Sequence, residues 1–171
     1  NGTFAGTLSG NVGSFTAGTI GASTYNGGNF YGNFYGGNLD GGSVSLSGTL
    51  NLPATSASAG IINSGGNRLL HTYGNQNFFA GVNAGNFTLS GNGNVGLGYG
   101  ALASDTSGSG NTANGAWALF SNTTGSANIA SGYNALYYNT SGSDNLAYGN
   151  AALLFNTSGQ NNAACGDSAL Y

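Results

Sequence analysis

The chain has 171 residues, of which only 3% are charged, with a net charge of −3 and 34 glycines. Its one cationic side chain, Arg68, is too little to neutralise a nucleic-acid backbone, and no run reaches the ~18 apolar residues of a membrane-spanning helix. Chains this rich in Gly are often disordered, but disordered chains lack aromatics, and here 12% of residues are aromatic.

Residues 1–52 place apolar side chains at Phe15, Ile20, Tyr25 and Phe30, then at Phe34, Leu39 and Val44. The step is five with one slip of four, and Gly fills the gaps. Such a short odd period predicts a triple β-helix-like shaft in which each chain supplies one side of every layer. A single-chain pentapeptide coil is the competing reading, and the slip counts against it. No basic n-region followed by an apolar h-region stands at the start, so no signal peptide is visible.

Residues 53–73 read as a junction. Pro53 breaks the pattern and marks a strand end. The stretch Gly60 to His71 then predicts a β-hairpin with its loop at Gly65-Gly66.

From residue 74 to 171 the period becomes 17. Asn recurs at Asn77, Asn94, Asn111, Asn128, Asn145 and Asn162. Gly recurs at Gly81, Gly98, Gly115, Gly132, Gly149 and Gly166, and again at Gly74, Gly91, Gly108, Gly125, Gly142 and Gly159. Ala recurs at Ala84, Ala101, Ala118, Ala135, Ala152 and Ala169, followed by Leu at Leu102, Leu119, Leu136, Leu153 and Leu170. Fixed columns over six units are the signature of a solenoid. Each unit is expected to hold two short strands, such as Asn128–Ser131 and Ala135–Tyr138, separated by Gly and Asn-Thr-Ser-Gly turns. Coils stacked ~4.8 Å apart would set each residue above its equivalent. The Asn column would then form a ladder of side-chain amides. The Leu column and the Phe78/Val95/Ile129/Leu146 column are expected to point inward. A coil this rich in Ala and Gly is thin, so association of three chains is expected to thicken the core. The last residues break off inside a unit; the sequence reads as a piece of a longer protein whose array continues past Tyr171.

The phrases NTTGSANIASG (122–132) and LPAT…GII…GGNR…H…GVNAGNFT (52–88) resemble the stalks of phage tail-fibre-like proteins. Related repeats occur in large bacterial surface proteins, often ahead of a self-cleaving intramolecular chaperone domain. The array is more loosely similar to the heads of trimeric autotransporter adhesins, whose repeat is shorter. The resemblance covers most of residues 50–171. It implies a homotrimeric, extracellular, parallel β fibre. The fold class expected is therefore all-β: an elongated parallel β-solenoid or β-roll with 17-residue coils, preceded by the short-period shaft.

Catalytic residue types are scarce. His71 and Cys165 are the only His and Cys, and nothing gathers around either in the sequence. The acids are Asp40, Asp105, Asp144 and Asp167, with no Glu. They do not fall in one column, as a calcium ladder or a carboxylate pair would need. No catalytic residue, metal site or cofactor is expected. Asn122, Asn139 and Asn156 match the N-glycosylation sequon, but the same residues are explained as Asx turns, with Asp105 in the same slot.

Aromatic residues are the remaining candidates: Tyr99, Trp117, Tyr133, Tyr137, Tyr138 and Tyr148 sit in columns of variable type. Such rings either fill grooves between chains of a trimer or stack on cell-surface glycans. The function expected is a structural and adhesive module of an extracellular trimeric fibre. The alternatives are a self-assembling matrix or sheath filament and, with the least support, a polysaccharide-degrading tailspike.

Overall fold

The computed structural model describes residues 60–171, which fold as strands and turns with no helix. The expected shaft at 1–52 and the first part of the junction lie outside the described residues. Eight strands join one sheet in chain order. They are β1 (Ile62–Ser64), β2 (Asn67–His71), β3 (Phe78–Ala80), β4 (Val95–Leu97), β5 (Thr112–Asn114), β6 (Ile129–Ser131), β7 (Leu146–Tyr148) and β8 (Ala163–Cys165). From β3 to β8 every pairing is parallel, and each residue faces the one a full period on, from Phe78 opposite Val95 to Tyr148 opposite Cys165. The array is a parallel β-solenoid with a 17-residue coil.

Each coil holds one strand rather than the expected two. The segment Ala135–Tyr138 is a run of turns. The Ala135, Tyr137 and Asn139 N–H groups donate back to Gly132, Asn134 and Leu136 carbonyls at 3.4, 3.2 and 3.1 Å. The alternate N–H groups, of Leu136 and Tyr138, donate to Ala152 and Leu154 of the next coil at 3.0 and 3.1 Å. This ribbon bends the chain while leaving each of these donors partnered.

The bend has a conformational cost. Leu102, Leu119, Leu136 and Leu153 all have φ between 50 and 55°. A non-Gly residue there loses about 1–2 kcal/mol. Full burial of a Leu side chain returns about 1.5–3 kcal/mol, and Leu102, Leu119 and Leu136 are completely buried. Burial therefore outweighs the strain, and an unbranched Cβ keeps that strain tolerable.

The core is a narrow column of these leucines, the Ala101/Ala118/Ala135/Ala152 column, and the middle residues of the strands, Ala113, Ala130 and Ala147. The strand burial alternates exposed, buried, exposed. Consequently the Phe78/Val95/Ile129/Leu146 column faces outward, against the expectation from the sequence. Phe78, Ile129 and Leu146 are 40, 47 and 44% exposed. The reason is the period of two along a strand. Once the middle residue of each strand (Phe79, Gly96, Ala113, Ala130 or Ala147) points in, its neighbour must point out, and from Ala113 on the leucine supplied by the turn leaves room on the strand side only for alanine.

Close coil stacking explains one Gly column directly. Gly132 has φ 139°, and a Cβ there would overlap the Gly149 carbonyl of the next coil.

The hairpin closes one end of the stack. Gly65 and Gly66, at φ 55 and 79°, form its two-residue turn. β2 then pairs antiparallel with β3, covering the outer edge of the first coil. His71 is buried between the Phe79 and Phe87 rings, each centroid 4.9 Å away. Its Nε2 lies 2.9 Å from the Ala84 carbonyl, while its Nδ1 accepts from the Tyr73 N–H at 3.3 Å. That pairing fixes the neutral tautomer protonated on Nε2, and burial pushes the imidazole pKa down. Arg68 packs its guanidinium 4.5 Å from the Phe87 ring centre, outside this cap.

Candidate functional site: amide ladders, an aromatic chain and an aliphatic face

Two columns of amides link successive coils, the first from Asn77 to Asn162 and the second from Asn122 to Asn156. In the first, the Oδ1 of each Asn accepts the backbone N–H of the Asn one coil on: Asn94 from Asn111 at 2.9 Å, Asn111 from Asn128 at 3.0 Å, Asn128 from Asn145 at 3.0 Å. Nδ2 of Asn94, Asn111 and Asn128 donates across the coil to the Gly108, Gly125 and Gly142 carbonyls, each at 2.8 Å. Each side chain thus ties its own coil shut and locks it to the next.

The second column is that of the sequons. Asn139 donates to Asn122 Oδ1 at 2.8 Å, and Asn156 donates to Asn139 Oδ1 at 3.0 Å. Asn122 and Asn139 are fully buried, so their amides serve the fold. Asp105 stands at the head of this column, fully buried. It accepts from the Gly108 N–H at 2.8 Å and from Asn111 Nδ2 at 3.4 Å. A carboxylate only accepts, so it ends a chain of amides that all donate in one direction. Burial, partly offset by these bonds, pushes its carboxyl pKa up to about 6.

Outside the core, rings meet along the turn side. Trp117 lies edge-on to Tyr99 at 4.6 Å and to Phe120 at 4.8 Å. Phe120 stacks on Tyr137 at 5.2 Å, Tyr137 meets Tyr138 at 4.7 Å, and Tyr138 stacks on Phe155 at 5.3 Å with planes 7° apart. Phe155 continues to Tyr171 at 4.9 Å. The structure thus joins Tyr99, Trp117, Tyr137 and Tyr138 into one chain. Tyr133 lines a groove of about 360 Å³ with Trp117, Tyr137 and Tyr138. Tyr148 does not join them; it projects from β7, 61% exposed. Sequence reading passed over Phe120, Phe155 and Tyr171. The signal was present, since Phe120, Tyr137 and Tyr171 share one column and Tyr138 and Phe155 share the next.

The opposite kind of surface lies on the strands. Phe78, Val95, Thr112, Ile129 and Leu146 line up in register along the outward sheet face, beside the column of Leu97, Asn114, Ser131 and Tyr148. Cys165, a free thiol, is exposed on the same face. Asp144 and Asp167 are exposed and belong to different columns. No family model, curated protein or solved structure matches the chain.

Proposed function

We propose that the chain is a structural and adhesive module of an extracellular trimeric fibre, in which the stacked coils form a stiff rod and the strand faces hold three copies together. The observation that carries this reading is the outward, largely apolar column on the sheet, Phe78, Val95, Ile129 and Leu146, interrupted by Thr112, in which Phe78, Ile129 and Leu146 are 40, 47 and 44% exposed and Val95 is half-buried. An aligned apolar face on a parallel sheet is the kind of surface that parallel sheets bury. It carries no charge, so copies of itself can meet without repulsion. Stiffness follows from the two amide columns, which lock each coil to its neighbour inside a dry core.

A filament built by adding coils end to end is supported less well. β2 occupies the outer edge of β3 in antiparallel pairing, so a further parallel coil has no free edge to join there.

The test is sedimentation equilibrium of the whole chain beside an Ile129→Asp/Leu146→Asp variant. The reading expects three times the chain mass for the wild type and a folded single chain for the variant. A wild type of single-chain mass at micromolar concentration overturns it.

A further inference from the structure

We propose that the groove beside the aromatic chain binds a neutral saccharide, with pyranose faces on the Tyr138 and Phe155 rings and a hydroxyl group donating to the Asn134 side chain. This deepens the adhesive half of the proposed function and does not depend on the number of chains in the fibre.

Three observations converge. The first is the rings. Tyr138 and Phe155, one coil apart along the axis, stack with centroids 5.3 Å apart and planes 7° from parallel. Each keeps part of its apolar ring surface open to solvent, Tyr138 being 44% and Phe155 54% exposed. Edge contacts hold them: Tyr137 against Tyr138 at 4.7 Å and Tyr171 against Phe155 at 4.9 Å. Beneath them the backbone is fixed by coil-to-coil bonds, including the Tyr138 N–H to the Leu154 carbonyl. The platform is therefore set before any ligand arrives, which lowers the ordering cost of binding.

The second is Asn134. It lines the same groove. Its Oδ1 is buried and has no hydrogen-bond partner. Elsewhere in the array buried amides are paired into ladders, and an orphaned buried acceptor costs about 1–3 kcal/mol. A rotation of the amide toward the groove would let an incoming O–H donor remove that cost. A second copy of this chain offering only rings or aliphatic groups would leave it in place.

The third is charge. The groove is lined by Trp117, Tyr133, Asn134, Tyr137, Tyr138 and Phe155, with Leu154 and Tyr171, and none of these is an acid or a base. An anionic or cationic ligand would find no counter-charge on entering. Hydroxyl-rich, uncharged rings with apolar C–H faces match what is there: flat aromatic walls, phenol groups and one unpaired amide. At about 360 Å³ the groove is at the small end of ligand sites, so one or two sugar units would fill it.

Trp117 is the only tryptophan, so its emission reports on the groove directly. The wild-type chain is titrated with neutral gluco-, galacto- and manno-oligosaccharides to 10 mM. Emission is followed, and saturation-transfer NMR identifies the sugar protons in contact. At least one of them is expected to shift the emission saturably. Tyr138→Ala and Asn134→Ala should each weaken binding at least tenfold, and Tyr148→Ala, on the strand face, should leave it unchanged. If Tyr138→Ala fails to fold, as judged by circular dichroism, Tyr133→Ala at the exposed rim replaces it. No saturable response to any of these sugars overturns the proposal. So does a Tyr138→Ala chain that loses assembly mass in sedimentation, because the groove is then filled by another copy. A trimer that binds no sugar leaves the fibre reading standing and removes only this site.

Discussion

Gly85 lies against the face of the Phe79 ring: a Cβ on Gly85 would come 2.6 Å from Phe79 Cγ. Later coils reverse the sizes, with Ala113, Ala130 and Ala147 on the strand and Leu119, Leu136 and Leu153 at the turn. Gly96, above Phe79, is also small for the same reason, since a Cβ there would lie 2.8 Å from Phe79 Cδ1. The first coil thus fills its core from the strand side and the others from the turn side.

That exchange makes a double-mutant test. Phe79→Ala alone should cost about 3–5 kcal/mol through the cavity it leaves. Gly85→Leu alone should cost about 1–3 kcal/mol or more by overpacking. The backbone at Gly85, φ 59°, is one that Leu119 and Leu136 adopt at 50 and 53°. The pair together should therefore recover about 2 kcal/mol or more relative to the sum of the singles. Urea denaturation of the four proteins measures it, and simple additivity would contradict the exchange.

The amide columns carry their own prediction. Asn128 Oδ1 accepts both the N–H and the Nδ2 of Asn145 at 3.0 Å, and its Nδ2 reaches the Gly142 carbonyl. Asn128→Ala would leave a buried N–H at Asn145 without its acceptor. A loss of about 2–4 kcal/mol is expected. Asn150→Ala, at an exposed position, should change stability by less than about 0.5 kcal/mol. Thermal melts of the two variants side by side check the contrast.

Asp105 makes the fold pH-dependent. Its carboxyl is raised to about 6 from 3.8. A raised carboxyl binds its proton more tightly in the folded state. The associated stability is therefore full below pH 3.8 and is lost as pH rises through about 6. Asp105→Asn should stabilise the chain at pH 7.5 by about 1–2 kcal/mol and lose that advantage near pH 4. His71 slopes the other way: its lowered pKa removes stability as pH falls below 6.5. The informative quantity is thus the difference between Asp105→Asn and wild type across pH 4 to 8.

Two glycines separate steric need from habit. Gly132→Ala places a Cβ into the Gly149 carbonyl and should abolish cooperative folding of that region. Gly110, at φ 67°, would set a Cβ no closer than 4.0 Å to its nearest neighbour, the Ala127 backbone N, and shares its column with Asp144 and Asn161. Gly110→Asn should be tolerated or mildly stabilising, because it narrows the unfolded ensemble. Hydrogen-exchange protection of β5 to β7 distinguishes the two.

The period, the all-β class and the parallel stack were legible in the sequence because stacking forces equivalent positions to match. What each column faces was less legible. Leu146 looked like core because it is large and apolar, but Ala147 beside it takes the inward position in a coil too thin for Leu on the strand. Leu136 is core and was expected on a strand; its φ of 53° makes it a turn residue, a conformation that propensity argues against and only burial explains. The aromatic chain was partly visible. Tyr137 and Tyr138 stood out, but Phe120 and Phe155 were missed although each occupies the column of one of those tyrosines.

The stacking itself is tested most directly by a single distance. Asn92 and Gln160 are exposed and share a column four coils apart. Spin labels at Asn92→Cys and Gln160→Cys, with Cys165→Ser and an excess of unlabelled chain, should give a distance distribution by pulsed electron resonance centred at about 20–25 Å, four spacings of ~4.8 Å plus the labels. A mean beyond about 40 Å would contradict the coil, and with it the rod, the ladders and the groove.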